Sequence, residues 1–302
     1  MFMNLKMLGF GFLCAMAPVS FTYAHESQAR ETEDVKFVLA SLEGSKIKIY
    51  EKDGKRVIES NGIPNHETGQ FPNRQNPNSI SAQKHVYTVP LNPKKNMLST
   101  ALKRQPFGIA INGVPLDPGT AECFGQARGQ RPSGVCAWSV EAIVGGLGQL
   151  GLDEHNAHVQ TNGAYHYHGY PKGIESMLPI TGDLIPIGYA ADGFKIVASK
   201  TEAYKPSYVL KSGVRPNGPG GSYTGKYTQD FEFSLGSGDL DDCNGTMIKG
   251  QYMYVITKTF PYIPRCFKGT PDESFNRHSA MERSNVDGRV RRPPPHHRRG
   301  MF

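Results

Sequence analysis

The chain contains 302 residues, of which 38% are hydrophobic, and it carries a formal net charge of +7. Most of that charge lies at the two ends. Without Lys6 and the five arginines of the C-terminal tail, residues 25–288 have a net charge of only +1. A near-neutral body of this length suits one large domain or two fused halves, and it excludes nucleic-acid binding as the expected function.

The first 24 residues are predicted to be a secretory signal peptide. A short n-region with one cation precedes the mostly apolar stretch 7–21, and Thr22-Tyr23-Ala24 provides a small-x-small cleavage site before His25. The apolar stretch is too short, and too often interrupted by glycine and proline, to span a bilayer comfortably. We therefore expect a periplasmic or secreted protein with a flexible N-terminus at residues 25–34 and no transmembrane span after cleavage. An uncleaved N-terminal anchor is the alternative.

Residues 35–270 are predicted to form the folded domain, and their pattern is mainly β. The apolar runs are short and rich in β-branched and aromatic residues, and turn dipeptides such as Asp53-Gly54 and Asn244-Gly245 separate them. These runs are Lys36–Leu39, Ser45–Tyr50, His85–Val89, Phe107–Ile111, Gly188–Ala190, Phe194–Val197, Phe231–Phe233 and Tyr252–Thr257. Sustained helical periodicity is absent, so helices are expected to contribute little.

Three pairs of similar segments occur in the same order along the chain and predict an internal repeat. The pairs are Gly108–Val114 with Gly188–Phe194, Leu152–Asn156 with Leu240–Asn244, and Gly163–His168 with Gly250–Val255. We therefore expect two related β units, at about residues 107–171 and 187–268, packed into one sandwich-like or mixed-β domain.

Four cysteines remain after removal of the signal peptide, and an oxidising compartment favours their pairing into two disulfides. They are Cys123, Cys136, Cys243 and Cys266. The sequence permits three connectivities, and short loops favour Cys123–Cys136 with Cys243–Cys266. A cysteine-ligated metal is the less favoured alternative, because no CxxC spacing occurs.

The segment Tyr165-His166-Tyr167-His168 has two different faces if it forms a strand, because alternate side chains point to opposite sides. The matching segment of the second unit keeps the tyrosines as Tyr252 and Tyr254 but carries Met253 and Val255 in place of the histidines. The tyrosines are thus expected to serve the fold. The histidines are expected to be at least partly buried and to need polar partners.

Histidines cluster around this segment, since His155, His158, His166 and His168 fall within fourteen residues. Imidazoles from one strand face and an adjacent loop suit a transition-metal site, and zinc or copper is the expected ion. The competing interpretation is purely structural, with hydrogen-bonded rings in the core. The chain has no G-x-S-x-G or H-E-x-x-H motif and no nucleotide-binding fingerprint, so the sequence does not commit it to a catalytic activity.

Residues 271–302 are expected to form a disordered basic tail, since the last fourteen residues combine arginines with Pro293-Pro294-Pro295 and have little to bury. The arginines suit contact with anionic components of the cell envelope. A second functional hypothesis follows, in which the protein is a non-catalytic envelope module that binds glycan or protein and the Tyr/His strands are structural.

Several motifs together resemble the bacterial YHYH-domain family. They are Ser60–His66, Gly163–Gly169, Gly188–Phe194, Leu240–Gly245 and Phe260–Gly269. The resemblance covers about residues 35–270. It adds His66 to the candidate metal ligands, because His66 falls within a motif, and it implies no settled activity.

Overall fold

The structure is a computed structural model, and its described residues all belong to one compact unit. They are residues 44–126, 136–144, 147–148, 150–179 and 182–276. The predicted signal peptide, the flexible segment 25–34, the strand expected at Lys36–Leu39 and the tail from residue 277 onward lie outside the described residues.

Seventeen strands and one short α-helix occur in the described residues, so the mainly β class is confirmed. The strands are β1 (Ile47–Lys52), β2 (Lys55–Ser60), β3 (His85–Pro90), β4 (Thr100–Ala101), β5 (Gly108–Ala110), β6 (Pro115–Leu116), β7 (Ile143–Val144), β8 (Leu147–Gly148), β9 (Ala157–Val159), β10 (Tyr165–Tyr167), β11 (Leu184–Ala190), β12 (Lys195–Ser199), β13 (Tyr208–Leu210), β14 (Phe231–Phe233), β15 (Gly245–Ile248), β16 (Gln251–Ile256) and β17 (Cys266–Phe267). Helix α1 is Lys172–Met177, and 3-10 helices span Thr228–Asp230 and Glu273–Phe275. Neither α1 nor the 3-10 helices of the described chain have the length and hydrophobicity needed to cross a bilayer.

An eight-stranded sheet holds the strands that matter for the site, in the order β15-β16-β12-β11-β5-β6-β10-β9. Strands β5 and β11 pair antiparallel in its middle, with Ile109 opposite Tyr189. On one side of this pair, β6 lies parallel to β10. On the other side, β12 lies parallel to β16. The outermost strands, β9 and β15, are antiparallel to their neighbours. Strands β1, β2 and β3 form a separate three-stranded sheet.

Tight glycine turns allow the three-stranded sheet to approach the large sheet. Gly113 and Gly193 have positive φ angles of 79° and 92°, which glycine adopts without steric cost. A Cβ atom at Gly113 would lie 2.2 Å from Oγ of Ser60, and one at Gly193 would lie 2.5 Å from the carbonyl oxygen of Pro90. The Ser60 hydroxyl donates a hydrogen bond to the Gly113 carbonyl at 2.8 Å, so β2 is fixed directly against this turn.

The main core lies on the tyrosine side of the large sheet. Tyr165, Tyr167 and Tyr254 are completely buried there, together with aliphatic residues of β5 and β11. The ring of Phe107 stacks on Phe267 and meets Tyr254 edge-on, with both centroid separations 5.0 Å. Burial of one such phenylalanine stabilises the fold by roughly 1.5–3 kcal/mol.

Both disulfides form with the connectivity that short loops favour, Cys123–Cys136 and Cys243–Cys266. Their Cα–Cα distances, 5.8 and 5.1 Å, fall in the ordinary range. The Cys243–Cys266 disulfide joins the loop that precedes β15 to strand β17. Two disulfides are compatible with an extracytoplasmic protein.

The described chain continues in ordered structure beyond residue 270, where the domain was expected to end. The Asp272 carboxylate accepts hydrogen bonds from the Thr88 hydroxyl at 2.8 Å and from the Ser274 amide at 2.9 Å. Phe275 stacks on Tyr87 with ring centroids 4.4 Å apart. One buried aromatic side chain, Phe275, therefore anchors an otherwise polar segment.

Candidate metal centre

The first three residues of the Tyr-His-Tyr-His segment form β10 and His168 directly follows it, and the side chains alternate between two faces as predicted. Strand β10 pairs antiparallel with β9, which places His166 directly opposite His158. Residues opposite one another in a sheet share a face, so His158 lies on the same face as His166 and His168, and Tyr167 points into the core. His166 and His168 are only 3% and 2% exposed, and His158 is half-buried.

His158, His166 and His168 form a three-histidine cluster. One ring nitrogen of each lies within 4.8 Å of the corresponding nitrogens of the other two. Nε2 of His158 and Nε2 of His168 are 3.1 Å apart. Two imidazole nitrogens bound to one tetrahedral zinc ion are about 3.3 Å apart, given the usual Zn–N bond length. The cluster therefore has the dimensions of a metal site.

Backbone carbonyls fix the tautomers of two of the three rings. Nδ1 of His158 lies 2.9 Å from the carbonyl oxygen of Leu150, and Nδ1 of His166 lies 3.3 Å from that of Ala164. Because a carbonyl oxygen can only accept, each Nδ1 carries the hydrogen and each Nε2 carries the lone pair. Histidines that bind metals commonly donate their second ring N–H in this way.

His168 is held neutral by its surroundings. Burial lowers its pKa well below the ordinary value, and positive charge on His166, His158 or Arg265 lowers it further. The carbonyl group of Pro118 has the opposite, smaller effect. Neutral imidazole is the form that binds a metal ion, so His168 needs no deprotonation at neutral pH.

His66 and His155, the other two predicted ligands, lie on the tyrosine side of the sheet. Nε2 of His66 accepts a hydrogen bond from the Tyr167 hydroxyl at 2.6 Å, and its Nδ1 donates to the Glu67 carbonyl at 2.7 Å. The ring centroids of His66 and His155 are 4.2 Å apart. The single site expected from the sequence is therefore divided into the three-histidine cluster and a His66–His155 pair, because the two groups contact opposite faces of β10.

Asp153 positions the turn that carries His155. Its Oδ1 accepts hydrogen bonds from the amides of His155 at 2.9 Å and Ala157 at 3.1 Å, and its Oδ2 accepts one from the Tyr165 hydroxyl at 2.6 Å. The carboxylate therefore serves the turn and the tyrosine rather than the three-histidine cluster.

Sequence reasoning did not identify the two asparagines on the tyrosine side. The Asn112 amide donates to the Tyr167 hydroxyl at 2.9 Å and to Oδ1 of Asn65 at 3.1 Å. Both asparagines are almost completely buried. The sequence signals were that Asn112 belongs to the turn dipeptide Asn112-Gly113 and that Asn65 precedes His66.

A second group with potential ligand atoms, Asp242, Cys243 and Cys266, is not a candidate. Its two cysteines are bonded to each other and offer no thiolate. The Asp242 carboxylate instead forms an ion pair with Lys268 and accepts a hydrogen bond from the Ser99 hydroxyl.

Fold and site together define a disulfide-bonded, mainly β protein with a buried three-histidine cluster on one sheet face. A family model described as YHYH protein matches residues 86–269, which is 184 of the 302 residues and includes the whole cluster. The chain therefore belongs to the YHYH protein family, and the resemblance seen in its motifs is confirmed. Neither curated proteins nor solved structures give a significant match to the chain.

Proposed function

We propose that this chain is an exported protein that binds one transition-metal ion through His158, His166 and His168. The observation that carries the proposal is the convergence of three imidazole nitrogens within 4.8 Å on one buried sheet face. The carbonyl contacts of His158 and His166 support it, because they present Nε2 lone pairs for coordination. Zinc and copper are the ions that best suit an all-imidazole donor set.

Three protein ligands leave one coordination position for water or another ligand. Such a site sequesters metal, and in other proteins it also lowers the pKa of a bound water enough for hydrolysis. We propose binding only, since the donor set by itself does not select a reaction.

Export is the second part of the proposed function. The signal-peptide pattern of residues 1–24 and the two disulfides both support it. We expect mass spectrometry of the protein from a bacterial periplasm to give a mature N-terminus at His25. A mature chain that still begins at Met1 would instead indicate an uncleaved anchor. The basic tail remains a proposed contact for anionic envelope components.

We also infer that residues 107–171 and 187–268 are two related units. The order and directions of β5, β6, β10 and β9 match those of β11, β12, β16 and β15 about the central β5–β11 pair. Hydrogen bonds agree with this correspondence, since Asp153 accepts from Tyr165 and Asp241 accepts from Tyr252, the latter at 3.0 Å. If β10 corresponds to β16 in this way, Met253 and Val255 occupy the positions of His166 and His168. Only the first unit then has imidazole donors for a metal at these positions.

Metal analysis tests the proposed function directly. We would purify the mature protein, dialyse it against Zn²⁺ or Cu²⁺ and then against buffer, and measure bound metal by elemental analysis. The parent is expected to retain one ion per chain. The double variant His166→Met/His168→Val carries the side chains of the corresponding β16 positions and is expected to fold without retaining metal.

His155→Ala is the matched control, because it removes a nearby histidine on the opposite face and should leave the metal content unchanged. A parent that retains neither ion would refute metal binding. It would leave the alternative, a glycan- or protein-binding module in which β10 is purely structural.

A further inference from the structure

Met97 and Leu98 are neighbouring apolar side chains that project into solvent from the loop between β3 and β4. They are 102% and 82% exposed. Single exposed apolar residues are common on protein surfaces, but two adjacent ones form a continuous apolar tip in water. The tip adds nothing to the core, so its exposure needs an explanation outside the fold.

The loop backbone is held in place on both sides of this tip. Asn96 donates its backbone N–H to the Lys268 carbonyl at 2.6 Å and its side-chain amide to the Thr270 hydroxyl at 3.1 Å. On the other side, the Ser99 hydroxyl donates at 3.1 Å to the carboxylate of Asp242, which forms an ion pair with Lys268. Strand β4 follows and pairs with β17. The fold therefore fixes the residues before and after the tip and leaves the two apolar side chains outside.

The charges along this segment are positive. Lys94 and Lys95 precede the tip, and Lys103 and Arg104 follow it, whereas residues 68–116 contain no aspartate or glutamate. All four cationic residues are exposed. Apolar side chains beside exposed lysines match a surface in which anionic headgroups cover an apolar layer.

Leu235 shows that exposure alone does not define such a surface. It is 90% exposed, but residues 232–242 contain four carboxylates and no lysine or arginine. An anionic surface repels a segment of this charge and attracts the one that carries Met97 and Leu98.

We propose that Met97 and Leu98 insert into the interface of an anionic phospholipid bilayer, with Lys94 and Lys95 among the headgroups. The apolar side chains leave water, and the lysines are attracted by the negative surface potential. A protruding tip of two residues suits lipid chains, which close around it, better than a protein partner, whose interface needs a larger complementary area. The tip shares no residue with the three-histidine cluster, so this inference does not depend on the proposed metal site.

The test is co-sedimentation of the full mature chain with vesicles of phosphatidylglycerol and phosphatidylcholine in equal parts. Met97→Ser/Leu98→Ser is expected to bind about tenfold more weakly than the parent. Lys94→Gln/Lys95→Gln should lose about as much affinity and should depend less on salt, because it removes two charges near the headgroups. Leu235→Ser is the matched control and should bind like the parent. All the changed residues are exposed, so each variant should keep the unfolding temperature of the parent.

Insertion has a readout of its own. Leu98→Trp adds an exposed indole to a chain whose other tryptophan, Trp138, is buried, and its emission should shift to the blue on anionic vesicles. An unshifted emission, or a parent that does not sediment with the vesicles, overturns the proposal. A Met97→Ser/Leu98→Ser variant that binds like the parent also overturns it and assigns the binding to the basic tail. Self-association of the parent that this variant loses, without vesicle binding, overturns it in favour of a second copy of the chain.

Discussion

Strands β10 and β16 have the same arrangement on one face and different chemistry on the other. On the core face, Tyr167 and Tyr254 are both completely buried, and each hydroxyl makes hydrogen bonds to buried polar groups. On the other face, β16 places Met253 and Val255 in an apolar cluster with Val197. The corresponding face of β10 carries imidazoles.

Under the proposed relation between the two units, this difference indicates which face of β10 the fold requires. The second half of the sheet packs well with only apolar side chains at these positions, so the architecture does not require histidine there. Buried imidazoles are harder to accommodate than methionine or valine, because each ring nitrogen needs a partner. The histidine face therefore calls for a functional explanation, whereas the tyrosine face does not.

The largest expected effect is the stabilisation of the protein by bound metal, which should occur with the histidine face of β10 and not with an apolar face like that of β16. Zn²⁺ at about a thousand times its Kd should raise the free energy of unfolding of the parent by about 4 kcal/mol, because the ion binds only the folded cluster. His166→Met/His168→Val should show no such rise. Thermal or urea unfolding with and without Zn²⁺ measures both, and an equal rise in the two proteins would place the ion elsewhere.

A pH effect from outside the cluster must be distinguished from the metal effect. Burial lowers the pKa of His85, in β3, to about 4. Above pH 6.5 this ring is neutral in both the folded and unfolded states, so its contribution to stability is constant there. As the pH falls from 6.5 to about 4, only the unfolded state gains a proton, and stability falls by at most about 3 kcal/mol.

Urea unfolding of metal-free protein across this pH range measures the loss, and His85→Gln should make the curve shallower, leaving the part due to His66 and His168, whose pKa values are also lowered. An unchanged pH profile in that variant would assign the acid sensitivity to other groups.

A third prediction compares the tyrosine faces of the two strands. Tyr254→Phe removes a 2.6 Å hydrogen bond to the buried carboxylate of Asp192, whereas Tyr167→Phe removes one to the neutral ring of His66. We expect a loss of about 2–3 kcal/mol for the first and about 1–2 kcal/mol for the second, because charged acceptors are costlier to leave unpaired. Metal content should be unchanged in both, and a loss of metal in Tyr167→Phe would show that the two faces of β10 are coupled.

The smallest expected effect tests whether His66 belongs to the metal site. A Cβ at Gly173, in α1, would lie 2.3 Å from Cγ of His66, so Gly173→Ala should displace that ring and cost about 1–2 kcal/mol. Gly182→Ala, where a Cβ would meet nothing within 4 Å, is the matched control. Both variants should retain metal, and loss of metal from Gly173→Ala alone would return His66 to the ligand set.

Local patterns in the sequence predicted the features that depend on neighbouring residues. Alternation along Tyr165–His168 gave the two faces of β10, and short loops gave both disulfide pairings. Strand β14 coincides with the predicted run at Phe231–Phe233. The six-residue helix α1 was not predicted, because it is too short to establish a helical period.

Contacts between distant parts of the chain could not be predicted in the same way. His66 meets Tyr167 across 101 residues of sequence, and only the fold decides which face of β10 it reaches. Nothing in the sequence indicated the hydrogen bond between Arg265 and the Pro118 carbonyl, since it joins residues 147 positions apart. Histidine spacing could therefore identify a cluster but could not assign its members to one side of a sheet.

The bond between Cys243 and Cys266 also acts on the residue next to it. Arg265 precedes Cys266, and its carbonyl accepts a hydrogen bond from the Leu102 amide at 2.8 Å, so the disulfide holds the arginine backbone in place. His158 lies on β9 and His166 on β10, with His168 directly after it, and this disulfide joins neither strand. Protein made in a reducing cytosol should therefore lose this restraint on the Arg265 backbone but keep the strands that carry the histidines, which makes the thiol state of the sample a variable to control in every metal-binding measurement.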